Sequence, residues 1–349
     1  MSVSTHSLLR ILDLLHRKTD MNHPLSLSAI VRRLNSGDDK VSVRTVRRIL
    51  DDIAKSRDEL EFEERTRCLP DGSGGEGRLE TIRTNYYLQH AFTDGELRFL
   101  MDQVCFSPQI PATQRRDLLE KIRALGSDYF EMRRLLVSLP VRQENRQLFL
   151  NVELVDEAIR RKRRISLSYL GYDIHKKLTV RCDRNGRPRL HILSPYALAV
   201  TDGKYYLICN NDRFHDLSHY RLDRMHNIRI LETAVRPLSD LQTSYGRELD
   251  LEIYWQQHAY MMAGDHIRAV LRLDADRIGC LLDAFGDETE LTEKNGEIQA
   301  VVRAGRRALL QFVRIHSPCV EVLAPITFRR EAAGSLRAAW ELYSEDESL

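Results

Sequence analysis

The side chains best suited to hold an anion are concentrated in one part of the chain. Between residues 160 and 230 there are 16 Lys and Arg against 6 Asp and Glu, whereas residues 264–349 carry 11 against 15. The whole protein has a formal net charge of only +2, so the basic character is local and points to an anionic partner for that stretch. Arg presents a planar fork that matches phosphate oxygens. Arg189, His191 and Ser194 precede Pro195, and the first two share a face if the segment is extended. Arg221 and Arg224 are three residues apart, so a flat strand points them to opposite faces. One is expected to face a ligand while the other turns at the strand end or pairs with Asp223. Tyr169, Tyr196 and Tyr206 can stack on a base or offer phenolic hydrogen bonds. Of the adjacent Tyr205 and Tyr206 only one can face inward, and Leu207 is expected in the core. The run Arg160-Arg161-Lys162-Arg163-Arg164 reads as a solvated helix end and stands outside this set.

Catalytic patterns are missing. The sequence has no Gly-rich phosphate loop ending in Lys-Ser/Thr, no H-E-x-x-H and no G-x-S-x-G. The 12 histidines form no ligand-like spacing, and the 6 cysteines are scattered without a C-x-x-C pair. His215 and His219 would share a helix face, but their surroundings read as strand. No catalytic residue, metal site or cofactor is expected, and the protein is not expected to be an enzyme. Scattered reduced thiols suit the cytoplasm. No apolar run approaches the roughly 18 residues of a membrane span. The opening MSVSTHSLLRILDLLHRK has an acidic residue and no long apolar block, so it is not a secretory signal. A soluble, cytoplasmic protein without a membrane partner is the expectation.

At 349 residues the chain is long enough for two or three domains. Leu8, Ile11, Leu12 and Leu15 lie on one side of a helix over 5–18. Ser26 to Ser28 can cap a second helix ending near Gly37. Ser42 is placed to cap a third, with Val46, Ile49, Leu50 and Ile53 as its buried stripe. Arg44, Thr45, Arg47 and Arg48 then fall on its outward side. Two strand-like pieces within 60–88 flank the Gly-rich PDGSGGEG and read as a hairpin. Three short helices followed by a hairpin is the order of a winged helix-turn-helix, whose third helix meets bases and phosphates. Ser42, Arg44, Thr45, Val46 and Arg48 resemble the DeoR-type recognition helix S-x-R-T-[VI]-x-R.

Residues 91–145 read as a helical connector, with Thr93-Asp-Gly-Glu96 as a capping box and a second helix from about Thr113 to Leu125. After a helix near 150–160 come short alternating strands, with turns at Asn185-Gly186 and Asp202-Gly203, which suggest a small barrel. A link through 236–262 leads to a C-terminal α+β sandwich over 263–349, with strands and two helices at roughly 305–316 and 329–344.

The strand block resembles the WYL domain of bacterial transcriptional regulators. Tyr205-Tyr206-Leu207 stands at the family's Trp-Tyr-Leu, so tyrosine replaces the tryptophan. Ser194-Pro195-Tyr196-Ala197-Leu198 resembles its Pro-x-x-Leu strand, and Tyr220-Arg221-Leu222-Asp223-Arg224-Met225 its F-R-L-D-R-I. The resemblance implies an Sm/SH3-like barrel over 146–235 that senses nucleotides, nucleic-acid fragments or similar anions. It also implies an N-terminal winged helix, over 1–90, and a C-terminal extension.

The expectation is therefore an α+β multidomain protein, a ligand-responsive DNA-binding transcriptional regulator. Its partners would be a double-stranded operator, met through Ser42, Arg44, Thr45, Arg47 and Arg48, and an anionic effector. The effector would be held by Tyr169, Arg189, His191, Ser194, Tyr196, Tyr206, Arg221 and Arg224. A homodimer follows from the family and from two-half-site geometry. The other reading is an accessory protein that grips single-stranded nucleic acid and has no operator.

Overall fold

A computed structural model describes residues 3–37, 40–56, 59–69, 78–130, 146–241, 249–251, 254, 258–262, 264–294 and 296–344. The chain divides into two compact units, 1–140 and 141–349. The protein is an α+β chain with several antiparallel sheets.

The first unit opens with three helices, α1 (Val3–Lys18), α2 (Leu27–Leu34) and α3 (Val43–Ser56). Their apolar stripes meet in one core: Ile11 and Leu15 from α1, Ile30 and Leu34 from α2, and Val46, Ile49, Leu50 and Ile53 from α3. Both serine caps form. The Ala29 N–H donates to Ser26 Oγ at 3.3 Å and the Thr45 N–H to Ser42 Oγ at 3.1 Å, each satisfying a first-turn donor that the helix cannot. An antiparallel hairpin, β1 (Leu60–Leu69) and β2 (Arg78–Leu88), follows. Leu60 and Tyr86 join the helical core. A two-bond bridge between Leu25 and Tyr86, both bonds 2.8 Å, fastens the lead-in of α2 to β2. The expected Gly-rich tip lies outside the described residues. Next come α4 (Asp94–Phe106), opened by the expected Thr93/Glu96 capping box, and α5 (Ala112–Arg123). Leu97 and Met101 of α4 pack with Phe130, and α5 contributes Leu119 and Ile122 at the edge of that cluster.

The second unit begins with α6 (Leu148–Arg160) and a six-stranded sheet. Its strands are β3 (Arg163–Tyr172), β4 (Leu178–Val180), β5 (Leu190–Thr201), β6 (Lys204–Asn211), β7 (Leu217–Arg221) and β8 (Met225–Ala234). All pairings are antiparallel. Strand β3 is the hub, pairing with β4, β5 and β8, and its Ile165 and Leu167 are fully buried. Among the described residues the sheet does not close into the expected barrel. β7 and β8, the two ends of the path through β6, β5 and β3, are joined by the single 3₁₀ turn Leu222–Arg224 instead of a hydrogen-bonded ladder. A turn that short brings the ends together, so the sheet is curled but open. The Asp202-Gly203 turn forms as expected, both residues taking the positive φ that a tight hairpin of this twist requires.

The described part of 236–262 is more than a link. Leu238, Leu241, Tyr254 and Met261 pack against Ala197, Ala199, Ile208 and Leu217 of the curled sheet. Beyond it, β9 (His266–Leu273), α7 (Ile278–Phe285), β10 (Glu290–Lys294), β11 (Glu297–Gly305), α8 (Arg306–His316), β12 (Val320–Ala324) and α9 (Ile326–Ser344) follow. The sheet order β10-β11-β9-β12 with this alternation is the split β-α-β arrangement of ferredoxin-like domains. Leu271, Val302, Leu309, Phe312 and Phe328 fill its core. Helix α7 adds to the two helices expected here. Its sequence IGCLLDAF is apolar nearly throughout and shows no clear period.

Candidate ligand site on the curled sheet

Three rings converge on one face of the curled sheet. Tyr169 from β3, His191 from β5 and Tyr220 from β7 meet edge to face. The centroid separations are 5.1 Å for Tyr169–Tyr220, 5.6 Å for His191–Tyr220 and 6.1 Å for Tyr169–His191. The strand register explains the meeting, because Leu167 lies opposite His191 and Tyr220 opposite Leu207. A polar chain crosses the rings. Asn211 Nδ2 donates to the Tyr220 hydroxyl at 3.3 Å, and that hydroxyl lies 3.3 Å from His191 Nδ1. With Asn211 donating, the phenol is free to turn its own proton to Nδ1, an arrangement that places the imidazole proton on Nε2. Nε2 is buried and has no hydrogen-bond partner among the described residues.

The electrostatics keep this histidine neutral. Burial lowers its pKa, and the positive charges of Arg189, Arg213 and Arg181 lower it further. Burial raises the phenol pKa of Tyr169 and of Tyr220. Arg181, Arg189 and Arg213 are all exposed, and the Arg181 guanidinium lies 5.7 Å from the Tyr169 ring centroid. Gly171 makes that approach possible, since a Cβ there would come within 3.0 Å of Arg181 Nε. The site is thus an aromatic floor with a buried imidazole nitrogen and a rim of guanidinium groups. That set suits a flat ring system carrying negative charge.

The Tyr169 hydroxyl reaches one step further and accepts the backbone N–H of Arg221 at 3.1 Å. The Arg221 guanidinium grips Asp223 with both ends of its fork, Nε to Oδ1 at 3.0 Å and Nη2 to Oδ2 at 2.7 Å. The two side chains are only 21% and 14% exposed. Burial opposes the charge on Arg221, but the Asp223 carboxylate outweighs it and holds the pKa above its ordinary value. Tyr206 is the register partner of Arg221 on β6, and burial raises its phenol pKa. Arg224 lies 5.9 Å from the Tyr172 ring centroid, with Nε buried and without a hydrogen-bond partner among the described residues. Along the same turn, Leu222 O and, just after Arg224, Met225 O both accept from the amide of Asn151, a buried residue in the first turn of α6, at 3.1 and 2.9 Å.

The structure therefore brings Tyr169 and His191 onto one face with Arg189 on the rim, and sets Arg221 and Arg224 at the corner that the Tyr169 hydroxyl reaches, whereas Tyr206 packs on the other face against the cluster of Ala197, Ala199, Ile208 and Leu217. Ser194 and Tyr196 are drawn elsewhere. The Ser194 hydroxyl accepts the Arg236 N–H at 3.0 Å and the Tyr196 hydroxyl donates to Arg236 O at 2.7 Å. Burial pushes the Tyr196 phenol up to about 12. Both hold the chain leaving β8. Tyr220, Asn211, Arg181 and Arg213 were outside the sequence-derived set. Tyr220 stood within the motif quoted for the family resemblance, but nothing in one sequence says that β3, β5 and β7 bring it against Tyr169 and His191.

The opposite face of β7 carries a second cluster of rings. His219 Nε2 lies 2.8 Å from the Tyr254 hydroxyl, Tyr254 stacks on His258 at 3.8 Å, and His258 meets His266 at 4.5 Å. Burial first, and neighbouring histidines after it, lower His219 and His258 to about 4. Among the described residues no group of His, Cys, Asp and Glu is arranged to hold a metal ion.

In the first unit, Ser42 serves as the α3 cap, Arg44, Arg47 and Arg48 are exposed, and Thr45 is half-buried. Arg47 lines a hollow of about 420 Å³ together with Asp51, Glu64 and Arg83.

The curled antiparallel sheet with its aromatic, Arg-rimmed face and α6 make up a small domain. The WYL domain family matches residues 151–230, from α6 into β8, which makes this stretch a WYL domain. Solved structures to which the chain is similar include proteasome accessory factor B/C (PafBC) of Arthrobacter aurescens, at 16% identity and a TM-score of 0.28. That alignment covers 97% of this chain and 49% of that one. Another is a CRISPR Cas-related protein, at 12% identity and a TM-score of 0.37, covering 100% and 88%. The chain spans about half the length of PafBC. No curated protein matches it.

Proposed function

We propose that the protein is a ligand-responsive, DNA-binding transcriptional regulator, and that the face built by Tyr169, His191 and Tyr220 takes an anionic nucleotide or nucleic-acid fragment. The observation that carries the reading is the edge-to-face meeting of Tyr169, Tyr220 and a neutral His191 beside three exposed arginines. Stacking supplies sequence-tolerant affinity, and the arginines supply phosphate contacts.

In this reading residues 1–90 act as a winged helix-turn-helix. A capped α3 with Arg44, Arg47 and Arg48 exposed, followed by a hairpin, supports it. Residues 91–145 serve as connector, 146–235 as a barrel-like sensor, and 263–349 as the C-terminal extension. The regulator works in the cytoplasm as a homodimer on a two-half-site operator, and it binds its effector without turning it over. An effector can change operator affinity only by binding the two arrangements of the protein differently.

The test is a selection of duplexes from random sequence by the purified chain, repeated with a short 5′-phosphorylated oligothymidylate present. Enrichment of one palindromic duplex, changed by the oligonucleotide and lost in Arg44→Ala and Arg48→Ala, is the expected result. The basic, aromatic face also favours a second reading, an accessory protein that grips single strands. Single-strand binding without any duplex preference would establish that reading over the first. Measurable hydrolysis of nucleotide or oligonucleotide would defeat both.

A further inference from the structure

The Arg221–Asp223 pair has a feature that a plain structural salt bridge does not need. The backbone on both sides of Asp223 is pinned by side chains from other elements. Tyr169 Oη holds the Arg221 N–H, and the single amide of Asn151 holds Leu222 O and Met225 O together. These bonds fix where the chain runs but leave the Arg221 guanidinium tied through its fork to a carboxylate two residues away. A bidentate carboxylate occupies a guanidinium fork with the same geometry as a phosphate. Asp223 is the middle residue of the three-residue turn Leu222–Arg224. The carbonyls of Leu222 and Met225 lie in and just after that turn, so a change of its backbone that accompanies release of Asp223 would be felt at both.

We propose that Asp223 is an internal surrogate for the anionic group of the ligand, that an incoming phosphate displaces it from Arg221, and that Asn151 transmits the resulting movement of the turn to α6. The inference rests on the ligand-site reading above and adds its regulation. Asn151 is a positioning residue that acts through the turn and touches no ligand. Helix α6 is the first described helix of the second unit, so a change at its first turn occurs where the chain enters the domain.

The experiment uses the full chain and a short 5′-phosphorylated oligothymidylate with a fluorophore on its 3′ end. Affinity is read by anisotropy and α6 by amide hydrogen exchange over residues 148–160. Asp223→Asn keeps the shape and removes the competing charge, so it should bind the probe at least about tenfold more tightly than wild type, the worth of one charge-assisted hydrogen bond. Its α6 exchange without probe should match that of probe-bound wild type. Asp223→Glu restores a competing carboxylate and should bind as wild type does. Asn151→Ala should keep wild-type probe affinity while α6 no longer responds to the probe. Circular dichroism confirms folding of each variant, and Asp223→Ser replaces Asp223→Asn if the latter unfolds. Unchanged or weaker binding by the charge-removing variant, with Arg221→Gln still abolishing binding, overturns the surrogate role and leaves the site reading intact. An α6 response that persists in Asn151→Ala overturns the transmission step. Probe binding that is indifferent to Arg221→Gln overturns the surrogate role while the site reading stands, and probe binding that is absent in wild type brings down the site reading itself and this inference with it.

Discussion

At the residue scale, the hydroxyl of Tyr220 matters more than its ring. Tyr220 links Asn211 to His191, so Tyr220→Phe removes two long hydrogen bonds and leaves buried partners behind. Chemical denaturation should show a loss of about 1 kcal/mol. The same variant frees the His191 tautomer and should weaken binding of a phosphorylated oligonucleotide, measured by anisotropy. Unaltered binding would mean that the Tyr220–His191 link has no part in recognition. The histidines behind β7 give a separate prediction in pH. His219 and His258 titrate near 6.5 when unfolded and near 4 in the folded protein. As pH falls through 6.5 the unfolded chain takes up protons first, so stability declines until the folded state also protonates near 4. The urea midpoint should therefore be lower at pH 5 than at pH 7, and His258→Phe should flatten that slope. A midpoint independent of pH over this range would contradict the buried, neutral assignment.

At the element scale, β3 decides whether the second unit holds together. It pairs with three strands and buries Ile165 and Leu167 completely. Leu167→Ala should cost about 2–5 kcal/mol, as large-to-small changes at filled core positions do, and a smaller loss in calorimetry would mean that the sheet relaxes around the cavity. The elements were legible where their periodicity was clean. Helix α3 announced itself through Ser42 and the stripe Val46, Ile49, Leu50 and Ile53, all of which are buried. Helix α7 did not, because an eight-residue apolar run has the same pattern as a buried strand. The site was legible only in part, for a related reason. Residue type marked Tyr169, His191 and Arg221, but side-chain direction depends on partners far along the chain. Arg236 lies about 40 residues beyond Ser194 and Tyr196, and its backbone captures both hydroxyls. Tyr220 and Asn211 come to the site through strand pairing, which local spacing does not encode. Closure of the barrel was overestimated because counting strands says nothing about which edges pair.

At the scale of the whole molecule, charge is partitioned: a basic middle segment, an exposed basic face on α3, and an acidic C-terminal stretch. If the α3 arginines meet phosphates, operator binding must weaken with salt, and each contact removed should shallow the dependence. Arg44→Ala and Arg48→Ala should each reduce the slope of log affinity against log salt by about 1. A lost preference for the selected duplex with no change in slope would instead assign that arginine to a base edge. Measuring both quantities on the same variants separates positioning from reading.

The unsealed edge of the curled sheet has a mechanical consequence. A closed barrel resists any change of curvature, since each strand is fastened on both sides and a ladder must break before the cylinder can widen. Here the ends of the sheet are held by the turn over 222–224, the buttress of Asn151 and the Tyr169 contact. The structure can therefore breathe like a split ring, its gap widening or narrowing while every ladder stays intact.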